Sequence, residues 1–221
     1  YLFTVIKDAP RWVSYDTRQS DLQRRLQKRY ESKPLLKFDE DDAYIEPQFT
    51  TNPEKKVVSY NELKLMVDDQ SIKSIFIEAP SGAGKSTLGL YVAKYMVKHK
   101  KPVFLMTPAD CLKIKDLSSL LKTTANITSN EELDYWTEWL TKECALFIFD
   151  DYERVKNKTE IDRVIDLLLI RQCQVIVMSN EASIRPKIIF SRKLTLNNFV
   201  DEEVTQYIAK GIKHDAISAL V

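Results

Sequence analysis

The run Ala79-Pro80-Ser81-Gly82-Ala83-Gly84-Lys85-Ser86-Thr87 concentrates more chemistry than any other stretch of the chain. Only 4 of the 221 residues are glycine, and Gly82 and Gly84 stand here, two residues apart. Glycines let a backbone curl so that consecutive N–H groups point at one anion without Cβ interference. A helix beginning at Lys85 would add the partial positive charge of its N-terminus. Lys85 would then bridge the β- and γ-phosphates of a nucleoside triphosphate, and the Ser86 hydroxyl would ligate Mg²⁺. The expected ligands are ATP or ADP and Mg²⁺, held by the whole run from Ala79 to Thr87. The pattern G-x-x-x-x-G-K-[ST] is met except at its first position, where Ala79 stands. A methyl group is tolerated there if the backbone φ stays negative.

A second chemical feature follows about 65 residues after Lys85, where the apolar run Phe147-Ile148-Phe149 ends in Asp150 and Asp151. A carboxylate at that place can hold the Mg²⁺ shell, and Asp150 takes this role as a metal-site residue. A further acid just beyond can orient or deprotonate an attacking water. Asp151 and Glu153 are both candidates, and with Lys85 they form the expected catalytic set.

These groups must be held by strands and helices. Ile75-Phe76-Ile77 reads as a short apolar strand before the phosphate loop, with a helix from Lys85 to about His99 after it. Pro102 to Met106, Ala145 to Phe149, Gln174 to Met178 and Lys193 to Leu196 read as four more strands. Ala145 to Phe149 is fully apolar, as a strand buried on both faces should be. Leu112 to Leu121, Asn130 to Lys142, Thr159 to Ile170 and Asp201 to Lys210 read as helices, and Leu133, Trp136 and Leu140 share one face. Strands alternating with helices predict a three-layer α/β fold with a five-stranded parallel sheet. The strand between the phosphate loop and the acidic strand end predicts the order 5-1-4-3-2.

Upstream, residues 1–70 read as an N-terminal arm, 71–200 as the nucleotide-binding core, and 201–221 as the start of a further helical domain. Within the arm, Asp16 to Tyr30 fits an exposed helix, and Asp39-Glu40-Asp41-Asp42 a solvated loop. Pro47 and Pro53 bracket an extended stretch. Ser59 with Glu62 three residues on is a capping box for a helix to about Asp69. The chain opens without a methionine and stops just after a helical pattern, so a piece of a longer protein is expected.

Composition narrows the partners. The formal net charge is +1, from 33 Lys and Arg against 32 Asp and Glu, which removes the global case for a polyanion binder. No segment reads as a nucleic-acid module, and the lysines at 94, 98, 100 and 101 read as a solvated helix end. Three scattered cysteines and two histidines argue against a zinc site or a disulfide framework. Reduced cysteines, no apolar run long enough to span a bilayer and no leader pattern fit a cytoplasmic chain.

The chain resembles the STAND class of P-loop NTPases, of the NACHT and apoptotic-ATPase kind, over roughly residues 43–210. The residues that carry this are Ile75 to Thr87, Leu146 to Glu153, Val175 to Asn180 and Leu194 to Glu203. Asp150-Asp151 is similar to the apoptotic-ATPase form and Glu153 to the NACHT form. The resemblance implies that Tyr44, Ile45 and Pro47 lie against adenine, and that Ser179 and Asn180 sense the γ-phosphate. Arg185 is the nearest arginine to the place where the family often carries one. It further implies a nucleotide switch in signalling or defence, closed with ADP and open with ATP. Such a protein would self-associate in its full-length form, respond to a trigger ligand and drive an effector domain. Hydrolysis would be slow.

Other functions fit parts of the chain. An AAA+-like ATPase motor shares both nucleotide motifs. A nucleotide kinase shares the phosphate loop, although residues 100–142 contain no arginine for an acceptor site. A GTPase is set aside, because Asn157-Lys158-Thr159-Glu160 follows the acidic strand directly and ends in Glu.

Overall fold

Four short segments so apolar that no residue alternation survives, Ser74–Glu78, Val103–Met106, Leu146–Phe149 and Gln174–Ser179, form the centre of the molecule. In the computed structural model, residues 46–125, 130–180 and 188–198 are described, with the single helical, exposed positions Ser20, Arg24 and Lys28. The strands in chain order are β1 (Gln48–Thr51), β2 (Val57–Ser59), β3 (Ser74–Glu78), β4 (Val103–Met106), β5 (Leu146–Phe149), β6 (Gln174–Ser179) and β7 (Arg192–Leu196). The helices are α1 (Tyr60–Asp68), α2 (Lys85–Lys98), α3 (Pro108–Cys111), α4 (Leu117–Ala125), α5 (Asn130–Lys142) and α6 (Lys158–Ile170).

All seven strands join one sheet in the order β2-β1-β7-β3-β6-β5-β4. From β7 to β4 the pairing is parallel and reproduces the expected order 5-1-4-3-2. The fold is thus α/β, as expected, but the sheet has seven strands rather than five and is mixed rather than purely parallel. The two extra strands come from the segment expected to be an arm. β1 pairs antiparallel with β7, setting Phe49 opposite Leu196, and β2 pairs antiparallel with β1. A strand in an antiparallel pairing needs only one apolar face, so its residues carry a weak signal in the sequence. Phe49 is fully buried while its neighbour Gln48 is exposed.

The polar faces of these outer strands are tied together. Thr50 Oγ1 donates to Asn197 Oδ1 at 2.8 Å, and Asn52 Nδ2 donates to Thr195 Oγ1 at 2.8 Å. The expected capping box then opens α1: Glu62 N donates to Ser59 Oγ at 3.2 Å, and Ser59 N donates to Glu62 Oε2 at 2.8 Å. Leu63 and Val67 bury one face of that helix. Another face meets α2, where Asp68 accepts a hydrogen bond from Tyr95, and a second from Lys101 just beyond that helix.

The helix expected over Leu112 to Leu121 starts later, as α4 from Leu117, and the separate short helix α3 precedes it. Each has its own N-terminal cap. Asp110 N donates to Thr107 Oγ1 at 3.3 Å with Pro108 as first helical residue, and Ser119 N donates to Asp116 Oδ1 at 2.7 Å. Two start signals nine residues apart keep the two helices separate. α5 packs against α4 and buries Trp136, Trp139 and Leu140. α2 approaches the sheet closely at Gly89, where a Cβ would stand 2.7 Å from Met178 Cε and 3.2 Å from Leu105 Cδ1. The helix expected from Asp201 lies outside the described residues. Among the described residues no helix is long and apolar enough to cross a membrane.

Phe49 tests whether β1 is part of the core. Phe49→Ala should lower the unfolding free energy by about 3 kcal/mol, the usual cost of emptying a fully buried aromatic site. Denaturant unfolding with the midpoint unchanged would show β1 to be peripheral.

Candidate functional site

In a parallel sheet, the loops that leave the carboxyl ends of the strands share one edge, and ligands bind there. β3, β6 and β5 are adjacent, so the phosphate loop after β3, the acids after β5 and the end of β6 are neighbours at that edge. The ladder continues past the strand, with Ala79 N donating to Ser179 O at 2.9 Å.

Gly82 and Gly84 have φ of 83° and 89°, in the left-handed region that glycine alone enters freely. A Cβ at either would meet nothing within 4 Å, so backbone conformation rather than space demands glycine at both. Gly84 is the residue before the first turn of α2, and Lys85 is its first residue. Ala79 is fully buried and does not take a positive φ, so it stands without strain in the place of the first glycine.

Lys85 is only 5% exposed. Its ammonium folds back over the loop and donates to Ala79 O at 2.9 Å and Pro80 O at 3.1 Å. The Asp151 carboxylate lies 3.9 Å away. The Ser86 hydroxyl donates a hydrogen bond to the Asp150 carboxylate, which also accepts from Asp151 N at 2.9 Å. The two residues expected at the metal therefore touch. Their oxygen donors suit a hard divalent cation such as Mg²⁺, which keeps several waters and takes few protein ligands. Burial pushes the Asp150 carboxyl above its ordinary range, and the Asp151 charge adds to this against the lowering effect of the Ser86 bond. A cation at this place would offset that cost.

The two candidate water-handling acids occupy different places. Asp151 takes a left-handed conformation, φ 47°, with its carboxylate toward Lys85 and, at 3.7 Å, Arg154. Glu153 accepts from Asn180 N at 3.2 Å, across from the end of β6. There, Ser179 Oγ and Asn180 Oδ1 are buried with no hydrogen-bond partner among the described residues. Orphaned buried polar atoms at an otherwise well-bonded edge mark a place where a ligand or a water is needed. Ser81 and Thr87 are exposed at the loop.

Pro47 is buried just before β1, and the antiparallel register sets it at the same sheet edge as the phosphate loop, two strands from β3. Tyr44, Ile45 and Arg185 lie outside the described residues. The structure adds residues that sequence reasoning missed. Tyr152 donates to Asp162 Oδ1 on α6, and Lys158 Nζ donates to Glu153 O at 3.1 Å. Asn157 Nδ2 donates to Cys111 O and Ile114 O, at 2.9 and 2.7 Å. Asn157 therefore braces two loops. No spacing rule exposes such contacts, since each joins segments whose proximity depends on the sheet order.

The raised carboxyl of Asp150 gives a test with opposite signs. A group with a raised folded-state value destabilises the fold once ionised, and the penalty is relieved as pH falls. Asp150→Asn keeps the acceptor for Ser86 and removes the charge. It should stabilise the nucleotide-free protein at neutral pH by about 1 kcal/mol, read as a higher Tm. The same substitution should weaken Mg²⁺-dependent nucleotide binding. A lower Tm at neutral pH would contradict the electrostatic account.

No family model matches the chain, and no curated protein does so. Among solved structures it is similar to AMPPCP-bound DnaA from Aquifex aeolicus, at 14% identity over 73% of this chain and 53% of that one, with a TM-score of 0.45. It is also similar to domain III of the Thermotoga maritima replication initiation protein DnaA, at 18% identity over 67% and 56%, TM-score 0.40. A third is the replication initiator DnaA bound to AMPPCP and single-stranded DNA, at 16% identity over 67% and 42%, TM-score 0.38. The chain spans about half the length of each of these chains. By its own strand order and glycine-bearing loop, it has the fold of the P-loop NTPases.

Proposed function

We propose that the chain is the ATP-binding and ATP-hydrolysing core of a P-loop ATPase, working as an AAA+-like motor domain with Mg²⁺. The observation that carries this is the meeting of Ser86, Asp150 and the buried Lys85 at one sheet edge. The loop amides and Lys85 would hold the β- and γ-phosphates. Ser86 and Asp150 would hold the metal, whose contribution is to neutralise developing phosphate charge. Asp151 or Glu153 would orient the attacking water, and Ser179 and Asn180 would meet the terminal phosphate. Two acids within reach of the loop are parts that turnover needs and mere retention does not. Pro47, with Tyr44 and Ile45, would border the base.

A second reading is the nucleotide-gated signalling switch of the STAND kind, in which the longer protein self-associates with ATP and rests with ADP. It is supported by the bond from Asn180 N to Glu153, which couples a candidate water-handling acid to the strand end where a γ-phosphate would be felt. Steady turnover favours the motor, and tight ADP retention with very slow phosphate release favours the switch. The expectation that nucleic acid plays no part gains no support from the comparisons, so single-stranded DNA belongs among the additives tested for an effect on turnover.

Lys85→Ala should weaken ATP and ADP binding at least tenfold, about 1.4 kcal/mol. Calorimetry showing equal affinity would remove the nucleotide site. Asp151→Asn and Glu153→Gln should both spare ADP affinity, and the one that orients water should slow hydrolysis about a hundredfold. Unchanged rates in both would leave neither acid in that role.

A further inference from the structure

The turn that carries both candidate water-handling acids is short, irregular and close to solvent, yet a single large side chain runs from its middle into the core. Tyr152 is 1% exposed and stands between Asp151 and Glu153 in a three-residue 3₁₀ turn, Tyr152–Arg154. Its neighbours diverge: Asp151 faces Lys85 and Glu153 faces Asn180 N. A shift of the Tyr152 backbone must therefore move both carboxylates.

The phenol ring alone would fill the core as Phe does. The hydroxyl adds a directed bond to Asp162 Oδ1, on the second turn of α6. α6 is itself fixed to the sheet by Ile161, Val164, Ile165 and Leu168, each no more than 1% exposed. It is a rigid reference, and Tyr152 transfers its position to the turn. Lys158, at the start of the same helix, adds a second tie through Glu153 O. Burial and the bond to Asp162 push the Tyr152 phenol well above its ordinary range, so it remains a hydrogen-bond donor throughout neutral pH.

Resting on the ATPase reading above, we propose that Tyr152 and Asp162 are a positioning pair for hydrolysis: their hydrogen bond clamps the Asp151–Glu153 turn to α6 and sets the water-handling carboxylate against the bound nucleotide. Neither residue touches the reacting atoms. Small misplacement of a positioned group costs rate far more than it costs binding.

The test measures steady-state ATP hydrolysis and ADP affinity of the whole chain. Tyr152→Phe and Asp162→Ala should each lower kcat about tenfold or more while KM and ADP affinity stay within about twofold. The double variant should fall no further than either single one, since both remove one bond. Asp162→Asn keeps an acceptor oxygen and should restore kcat to within about threefold of the wild type, a rescue that a purely structural or charge role would not give. Asp162 is half-buried on the helix surface, so its variants remove little packing and probe the bond independently of Tyr152→Phe. Wild-type kcat in Asp162→Ala, with turnover present in the native chain and absent in Lys85→Ala, overturns the positioning pair alone. No turnover in the native chain overturns the ATPase reading and this inference together.

Discussion

Burying a lysine ammonium is tolerable only where oxygens surround it, and the architecture around Lys85 follows from that requirement. Two of those oxygens are carbonyls of its own loop, Ala79 and Pro80. They can face back toward the lysine only because Gly82 and Gly84 turn the chain through left-handed conformations. The negative charge comes from across the sheet, where Asp151 follows β5. β6 lies between β3 and β5, so the loop and the acids are two strand spacings apart, about 10 Å. That distance is spanned by the side chains that leave the strand ends. Order β3-β6-β5 is thus the geometric condition for the site, and the outer strands serve to keep that order buried.

What could be read from the residues divides along a physical line. Four of the five parallel strands are legible because a strand covered on both faces can be apolar throughout, as β5 is, whereas β7 alternates buried and more exposed positions. The phosphate loop was legible because its chemistry is local, and so was the Ser59 capping box, whose partners lie three residues apart. Non-local requirements were invisible. Phe49 is one aromatic in a polar stretch, and only its pairing with Leu196 makes it core. The late start of α4 and the separate helix α3 are both marked by local signals, in Asp116 and in Thr107 with Pro108, that the expected Leu112 to Leu121 helix passed over. Ser86 and Asp150 were both assigned to the metal from their motifs, and the fold brings them into contact. Tyr152 carried no signal, because its partner is ten residues away on a helix whose docking depends on the whole sheet.

The left-handed residues show where strain has a purpose. Lys55, Lys100, Cys144 and Gln172 also have positive φ, and each lies in a turn or reversal between elements where the chain must change direction. Asp151 is different. It follows a fully buried strand, its amide is bonded to the carboxylate of Asp150, and its own side chain is drawn toward a buried cation. Aspartate enters this region more readily than most residues. Its conformation turns the chain sharply enough to place two carboxylates on either side of Tyr152.

Departures from good folding chemistry gather at the same edge. Among the described residues, the buried side-chain atoms without a partner are Ser179 Oγ, Asn180 Oδ1 and Asn157 Oδ1. The first two end β6, beside the phosphate loop, and the third belongs to the brace that follows the acidic turn. Asp150 adds a carboxyl whose ionisation burial opposes, with a second carboxylate next to it. Chains settle most polar groups during folding, and this one does so elsewhere with caps, carbonyl bonds and ion pairs, as at Ser59, Gln174 and Asp68. Among the described residues, this edge keeps a pair of neighbouring acids, a buried ammonium and unpaired hydroxyl and amide oxygens. Under the proposed ATPase function, a polyphosphate with its divalent cation would bring both signs at once: anionic oxygens for Lys85 and the loop amides, and positive charge for Asp150 and Ser86.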